Sequence, residues 1–381
     1  MAEKLIWLKP MKPKILHAYK QYWPNLGGVQ TVMQWLVRGL QNDFDTRILV
    51  AQAQSAWGQR ENVDGADLIR TTSLGNFLSM PMAPFYLPRF WQQAASAQVV
   101  AYHAPCPLVD LAVACYLPKS VRLVVHWHAE IVHQKNALKI VRPWIERCLE
   151  RADAIIVATP NHIKYSAFLS RYRHKCVVIP YAIDYQQLSV LTLAEQQKVE
   201  ELKATYPKLV LAAGRLIPYK GLSVFIEAMQ QVDALGLIVG VGPLEASLKQ
   251  QVHDLGLQDK VIFVGAVSNQ QLKCLLHACQ VFAFPSVFIN EAFGMVQLEA
   301  MACGKPIVNT NLQSGVPWVA RDGSEALTVP VADATAFATA VQRLLSDEAL
   351  ATKLGAQGAR RVQDEFDLPQ FLERTKAVYL G

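Results

Sequence analysis

The stretch VFAFPSVFINEAFGMVQLEAMACGKPIVN (281–309) runs from a short apolar segment ended by Pro285, through a polar turn and a helical pattern, into a second apolar segment at KPIVN. Strand, helix and strand in about 30 residues is the β–α–β unit of a parallel sheet. The stretch also carries Glu291 and Glu299, among Met, Val, Leu and Ala side chains suited to a core. An ionised carboxylate buried without partners is costly, so each needs a cation, donors or water, and a ligand is one source of them. The spacing predicts a helix beginning near Ala292, which aims the N–H groups around Phe293, Gly294 and Met295 at an anion. Glu291 then stands just before the helix and Glu299 inside it. Carboxylates repel phosphate but accept hydrogen bonds from vicinal hydroxyls, so a polyol on either side of a diphosphate suits both. A helix-capping Glu291 and a solvent-facing Glu299 are the alternative.

Outward from this unit, β-branched runs alternate with helical patterns along the whole chain. In the first half strands are expected near 14–19, 46–51, 121–127, 154–159 and 176–180. In the second half they are expected near 208–214, 235–240, 261–265, 281–285 and 305–309. Two doubly wound α/β units in series account for the pattern. VIPYAIDYQQL (178–188) reads as their linker, with Pro180 ending a strand. The 381 residues are too many for one core, so a cleft between two domains is expected.

Residues 1–183 hold 21 Lys/Arg against 11 Asp/Glu, or +10, and residues 184–381 hold 16 against 20, or −4, which together give the net +6. A basic first half suits an anionic partner: nucleic acid, an anionic membrane or a phosphorylated substrate. A solvated basic face is the other reading. Lys135, Lys139 and Arg142 form a basic stripe on a helix expected over 131–151, beside an apolar face of Leu138, Val141, Ile145 and Leu149. In FLSMPMAPFYLPRFW (77–91), aromatics interleave with Pro81, Pro84 and Pro88, so a long helix is not expected there. The segment reads as an apolar binding loop or as packing. Seven cysteines without a CxxC pair read as reduced thiols. No signal peptide or membrane-spanning run is found, which reads as cytoplasmic.

Two further strand ends offer anion sites. NLGGVQ places Gly27 and Gly28 where a backbone can approach a ligand, or simply turn. GRLIPYKG (214–221) sets Arg215 and Lys220 around a Pro-containing turn, a planar fork and a point charge suited to a diphosphate. GVGPLEA (240–246) lacks the third glycine of a dinucleotide loop, and DFD (43–45) reads as a polar turn rather than a metal site. His126, His128 and His133 lack zinc-motif spacing. A His at the carboxyl end of a parallel strand points into the ligand crevice or is a satisfied structural residue.

GGV, HWH, GRLIPYKG, VGVGPL and the E-x7-E block together resemble glycosyltransferase family 4, retaining enzymes of the GT-B fold, over nearly the whole chain. The resemblance implies an α/β fold of two Rossmann-like doubly wound domains facing across a cleft. Residues 1–183 would form an acceptor-binding domain, 184–364 a nucleotide-sugar-binding domain, and 365–381 a helix packing back on the first. It implies that Arg215 and Lys220 hold the donor diphosphate, Glu299 the ribose and Glu291 the transferred sugar, with His128 near the reacting carbon. Gly27, Gly28, Gly240, Gly242, Phe293, Gly294, Met295 and Val296 would complete the donor site. His103, Lys135, Lys139 and Arg142 would lie on the acceptor or membrane side. No metal and no cofactor is implied. YHAPCPLVDLA (102–112) and the HWH segment look most like bacterial mannosyl- and rhamnosyltransferases of O-antigen or exopolysaccharide assembly. That likeness suggests GDP-mannose as donor, a polyprenyl-diphosphate-linked saccharide as acceptor, attachment to the inner face of the cytoplasmic membrane, and no nucleic acid. Ala182 stands where similar proteins have Gly. Glu130 is a weak candidate nucleophile, so front-face departure of the nucleotide is expected rather than double displacement. A UDP-sugar transferase, an epimerase or phosphorylase of the same architecture, and a non-catalytic assembly component are the other readings.

Overall fold

The computed structural model describes residues 12–24, 27–52, 54–77, 80–130 and 135–381. His133 and the side chain of Lys135 lie outside the described residues. Two parallel sheets carry the chain. The first runs Cys176–Val178, Ala154–Val157, Arg122–Trp127, Val99–Ala104, Lys14–Ala18, Asp45–Val50, Ala66–Arg70 and Gln59–Val63 across its width. It is parallel throughout except at the last pair. The second runs Val261–Gly265, Leu235–Val239, Leu209–Ala213, Val281–Ala283, Ile307–Thr310 and Ala326–Val329, all parallel. Central strands such as LVLAA and AIIV are buried at every position, as expected where helices cover both faces.

The strand expectations hold with small shifts, but four strands of these two sheets escaped the sequence reading. Gln59–Val63 and Ala66–Arg70 form a hairpin closed by Asp64 and Gly65, both at positive φ, the Asp-Gly signature of a type I′ turn. Ala326–Val329 adds the far edge of the second sheet. Val99–Ala104, which carries His103, lies near the centre of the first sheet and is buried along its whole length. Proline does not exclude helix from 77–91. Tyr86–Ala94 is helical, with Tyr86 and Phe90 fully buried, while Met82 and Phe85 are exposed.

Each sheet reverses its winding once. In the first, Lys14–Ala18 sits between Asp45–Val50 and Val99–Ala104; in the second, Leu209–Ala213 sits between Leu235–Val239 and Val281–Ala283. Ligand crevices form outside the carboxyl ends of strands at such points. The segments leaving them include 19–28, 214–221 and 284–294.

Helix Leu368–Leu380 crosses back to the first sheet, where Tyr379 Oη lies 2.8 Å from His126 Nε2 and Arg122 Nε donates to the Val378 carbonyl at 2.9 Å. Lys376 pairs with Asp43 at 2.6 Å, which gives one carboxylate of the DFD turn a structural partner. In the linker, the Ile183 N–H donates to the Phe366 carbonyl. Ala182 is fully buried and is not at positive φ, so the backbone there requires no glycine.

Candidate active site between the domains

The turn 214–221 is fixed by close backbone packing. Gly240 and Gly242 lie against it, since a Cβ on either would meet the Gly214 or Leu216 carbonyl oxygen at 1.9 and 2.4 Å. Gly221, at φ 63°, lies against the Pro285 carbonyl, and the Val287 N–H donates to the Tyr219 carbonyl at 2.9 Å. This brings Lys220 to Glu291, with Nζ 2.5 Å from Oε2. The two side chains are only 15% and 10% exposed, and Ser286 Oγ donates to the same carboxylate oxygen at 3.4 Å. Lys220 also lies over the Phe284 ring, 5.2 Å from its centroid. Arg215 is exposed and has no ion pair among the described residues.

The helix starts later than its spacing predicts. It spans Met295–Ala302 behind Gly294, whose φ of 82° breaks the backbone before the first turn. Met295 and Val296 therefore supply the free first-turn N–H groups. The Phe293 side chain turns inward, packing on Tyr181 at 4.9 Å and Phe366 at 6.2 Å. Behind the helix, Gln297 and Asn309 form a buried hydrogen-bonded pair at 3.0 Å, which the sequence reading did not pick out. Glu299 is half-buried, and desolvation pushes its carboxyl up to about 7, with Lys220 pulling against that shift.

Across the cleft, Gly28 opens helix Gly28–Gly39, and a Cβ there would meet nothing within 4 Å. Gly27, at φ 179°, is in extended backbone. The domains touch where Asn161 Nδ2 donates to the Ser314 carbonyl at 2.8 Å and Gly315 faces Thr159. A small cavity beside this contact is lined by Glu130, His162 and Ala292, among others. The Trp127 indole N–H donates to Glu130 at 2.9 Å, and burial raises that carboxyl. Lys139 and Arg142 are exposed on helix Lys135–Arg151, Arg142 bridging to Glu146 at 2.8 Å.

His128 is not open to the cleft in the way the sequence suggests. It is 5% exposed, and both ring nitrogens are engaged: Nε2 with His103 Nδ1 at 2.9 Å and Nδ1 with Tyr181 Oη at 2.5 Å. His103 Nε2 continues the row to His17 Nδ1 at 3.0 Å, and His126 stacks on His103. Burial holds all four imidazoles neutral, with His17 and His128 lowered to about 3 and His103 and His126 well below their usual range. Nitrogens of His103, His126 and His128 lie within 4.8 Å of one another. Their rings are within 18° of parallel, so their in-plane lone pairs do not converge on one point, and hydrogen bonds between the groups already satisfy the nitrogens named. A buried hydrogen-bonded row describes these residues better than a metal centre.

Residues 194–361 match the family described as glycosyl transferases group 1, and residues 27–182 match the glycosyl transferase 4-like domain. The O-antigen chain mannosyltransferase C of Escherichia coli is 27% identical over 96% of this chain and 98% of its own length. The D-rhamnosyltransferase WbpZ of Pseudomonas aeruginosa is 30% identical over 93% and 92%. A GDP-mannose-dependent alpha-(1-6)-phosphatidylinositol monomannoside mannosyltransferase of Mycolicibacterium smegmatis is 25% identical over 90% and 92%. Among solved structures, Anabaena HepE in complex with UDP has the same fold, with a TM-score of 0.78 at 17% identity over 96% of this chain and 98% of that one.

Proposed function

The chain belongs to glycosyltransferase family 4 with a GT-B fold, and from that premise we propose that it transfers mannose from GDP-mannose, with retention, to a saccharide carried on polyprenyl diphosphate. The observation that carries this reading is the set Arg215, Lys220 and Glu291 gathered where the second sheet reverses its winding. Arg215 is free to close on a diphosphate, and Lys220 is held in place by Glu291 until the donor arrives. Lys220 then meets the diphosphate, whose charge grows as the glycosidic bond breaks, and Glu291 accepts from the hydroxyls of the sugar. Met295 and Val296 N–H groups add to the same anion. Mannose and rhamnose transfer by the two full-length relatives, and GDP-mannose dependence in the third, favour this donor and a surface-polysaccharide product.

Double displacement needs an ionised carboxylate opposite the leaving group. Glu130, the candidate the sequence offers, has its carboxylate engaged by the Trp127 indole N–H, which supports front-face departure. No helix among the described residues is long and apolar enough to cross a membrane. The basic first domain, with Lys139, Arg142 and the exposed Ile140 on one helix, suits peripheral contact with anionic lipid.

The test is transfer from a panel of GDP- and UDP-sugars in excess EDTA to a polyprenyl-linked acceptor held in anionic vesicles. The expected result is α-linked product from GDP-mannose without added metal. Neutralising Lys139 and Arg142 should slow transfer in vesicles but not in detergent. Turnover of UDP-sugars alone, inverted product, dependence on added magnesium or manganese, or equal loss in detergent would each refute the corresponding part.

Glu299 adds a pH dependence. Ribose hydroxyls donate to the ionised carboxylate, whereas the free protein holds this group protonated below about 7. GDP affinity should therefore weaken as pH falls below about 7, by up to about tenfold per unit, and level off above it. Calorimetric titration between pH 5.5 and 8.5 measures this, and Glu299→Gln should flatten the profile. An unchanged slope in that variant would remove Glu299 from the ribose.

A further inference from the structure

A cleft of about 800 Å³ opens on the first domain, lined by none of the residues assigned above. Its lining includes Trp57 and Arg60 near the edge strand Gln59–Val63, Arg70 at the end of Ala66–Arg70, and Phe85, Arg89 and Gln92 from in and around helix Tyr86–Ala94. Trp57 is 84% exposed and Phe85 57%, so two aromatic faces stand in solvent beside a polar floor. Exposed aromatics grouped this way mark a contact surface.

The charges decide which ligand class fits. Arg60 grips Asp67 through two bonds of 2.7 and 2.6 Å, and Arg70 pairs with Glu61 at 2.8 Å. Arg89 bonds Gln92 at 2.9 Å and has no carboxylate partner among the described residues. Two of three guanidiniums are therefore already neutralised, unlike an anion site, where unpaired forks gather on the phosphate. What remains is a set of N–H and amide groups between aromatic faces. This matches a neutral sugar, whose C–H face covers an aromatic ring while its hydroxyls meet the polar groups at the ring's edge.

The position sets the distance from the reaction. Arg70 lies at the carboxyl end of its strand, on the same edge of the sheet as His128. From Arg122–Trp127 to Ala66–Arg70 there are four strand spacings, through Val99–Ala104, Lys14–Ala18 and Asp45–Val50, or roughly 19 Å at ~4.8 Å each. Arg70 also donates to the Trp23 carbonyl at 2.5 Å, which joins the cleft to the segment leading to Gly27 and Gly28.

We propose that this cleft is a distal glycan subsite that holds neutral hexose residues of the acceptor several units back from the hydroxyl being glycosylated. The proposal rests on the transferase reading and adds a length-dependent grip on the acceptor. Such a grip favours saccharides that have already been extended over short primers.

The probes are α-mannotetraose and methyl α-mannoside, titrated into the full chain without donor. Wild type is expected to bind the tetraose at least about tenfold more tightly than the monosaccharide. Trp57→Ala and Arg89→Ala should abolish that difference while leaving GDP affinity and thermal unfolding unchanged. In transfer assays both variants should raise KM for a long acceptor about tenfold and leave a disaccharide acceptor unaffected. Equal binding of tetraose and monosaccharide by wild type, or wild-type binding by both variants, overturns the subsite. Trp57-dependent binding of anionic vesicles with no tetraose binding overturns it in favour of a lipid contact. Tetraose binding lost in both variants, with no transfer from any nucleotide sugar, supports the subsite and refutes the transferase reading instead.

Discussion

Glu291→Ala is expected to lower kcat about a hundredfold while the donor KM stays equal or falls. A hundredfold loss corresponds to about 3 kcal/mol of transition-state stabilisation, the scale of hydrogen bonds from sugar hydroxyls that tighten as the glycosidic bond opens. The direction of the KM change follows from the ion pair. Lys220 is almost enclosed with Glu291 at 2.5 Å, so removing the carboxylate leaves an uncompensated ammonium where the diphosphate would bind. The ground-state complex gains attraction while the transition state loses its sugar contact. Steady-state kinetics with GDP-mannose, alongside GDP titration to confirm a folded site, measures the split. A rise in KM at unchanged kcat would make Glu291 an ordinary ground-state contact.

Lowering the pH from 7.5 to 5 should shed several kcal/mol of folding stability, centred on the first domain. His17 and His128 titrate near 3 and His162 near 4 in the folded chain, against 6.5 when unfolded. Below 6.5 the unfolded chain takes up protons that the native row cannot. Stability is therefore complete above 6.5 and falls as pH drops toward the folded values, by up to about 1.4 kcal/mol per unit for each group. At pH 5 that is about 2 kcal/mol apiece. Glu299 and Asp110, both raised to about 7 by burial, act in the opposite sense, since their native forms take up protons first as pH falls. They offset about 3 kcal/mol each at pH 5, so the net loss rests on His103 and His126, which burial also holds well below their usual range. Urea unfolding followed by tryptophan fluorescence at both pH values tests the balance. An equal or higher midpoint at pH 5 would mean that the imidazoles accept charge in place.

Much of the fold was legible because strand runs end at Pro or Gly and helices carry an apolar period. The E-x7-E block and the GRLIPYKG turn were legible for the same reason, each being continuous in sequence. Val99–Ala104 was missed because Tyr102 and His103 interrupt the apolar run and no Gly or Pro marks its start, so burial of a polar strand end could not be read locally. The helix start was misplaced by three residues because the left-handed turn at Gly294 leaves the hydrophobic period unchanged. Contacts between distant positions were out of reach. Lys220 and Glu291 were assigned to different parts of the donor, and nothing local indicates that they pair in its absence. The His17, His103, His128 and Tyr181 row draws on two strands, the residue just past the end of a third, and the linker, with steps of 86, 25 and 53 residues.

That row has one more property, which comes from counting protons. A neutral imidazole carries one N–H and one lone pair in its plane, so each histidine with both nitrogens engaged must donate on one side and accept on the other. His103 and His128 are both in that position. Fixing the direction of any one bond fixes all of them. The row has two proton arrangements, one running from His17 to Tyr181 and one running back, and no mixed state without a broken bond or an added charge. Since Tyr181 packs on Phe293 of the second domain, the end of the row that can be moved is the end that lies at the hinge. Parting Tyr181 from His128 would leave the two bonds behind it aligned through His103, but would free His128 Nδ1 from having to complement them.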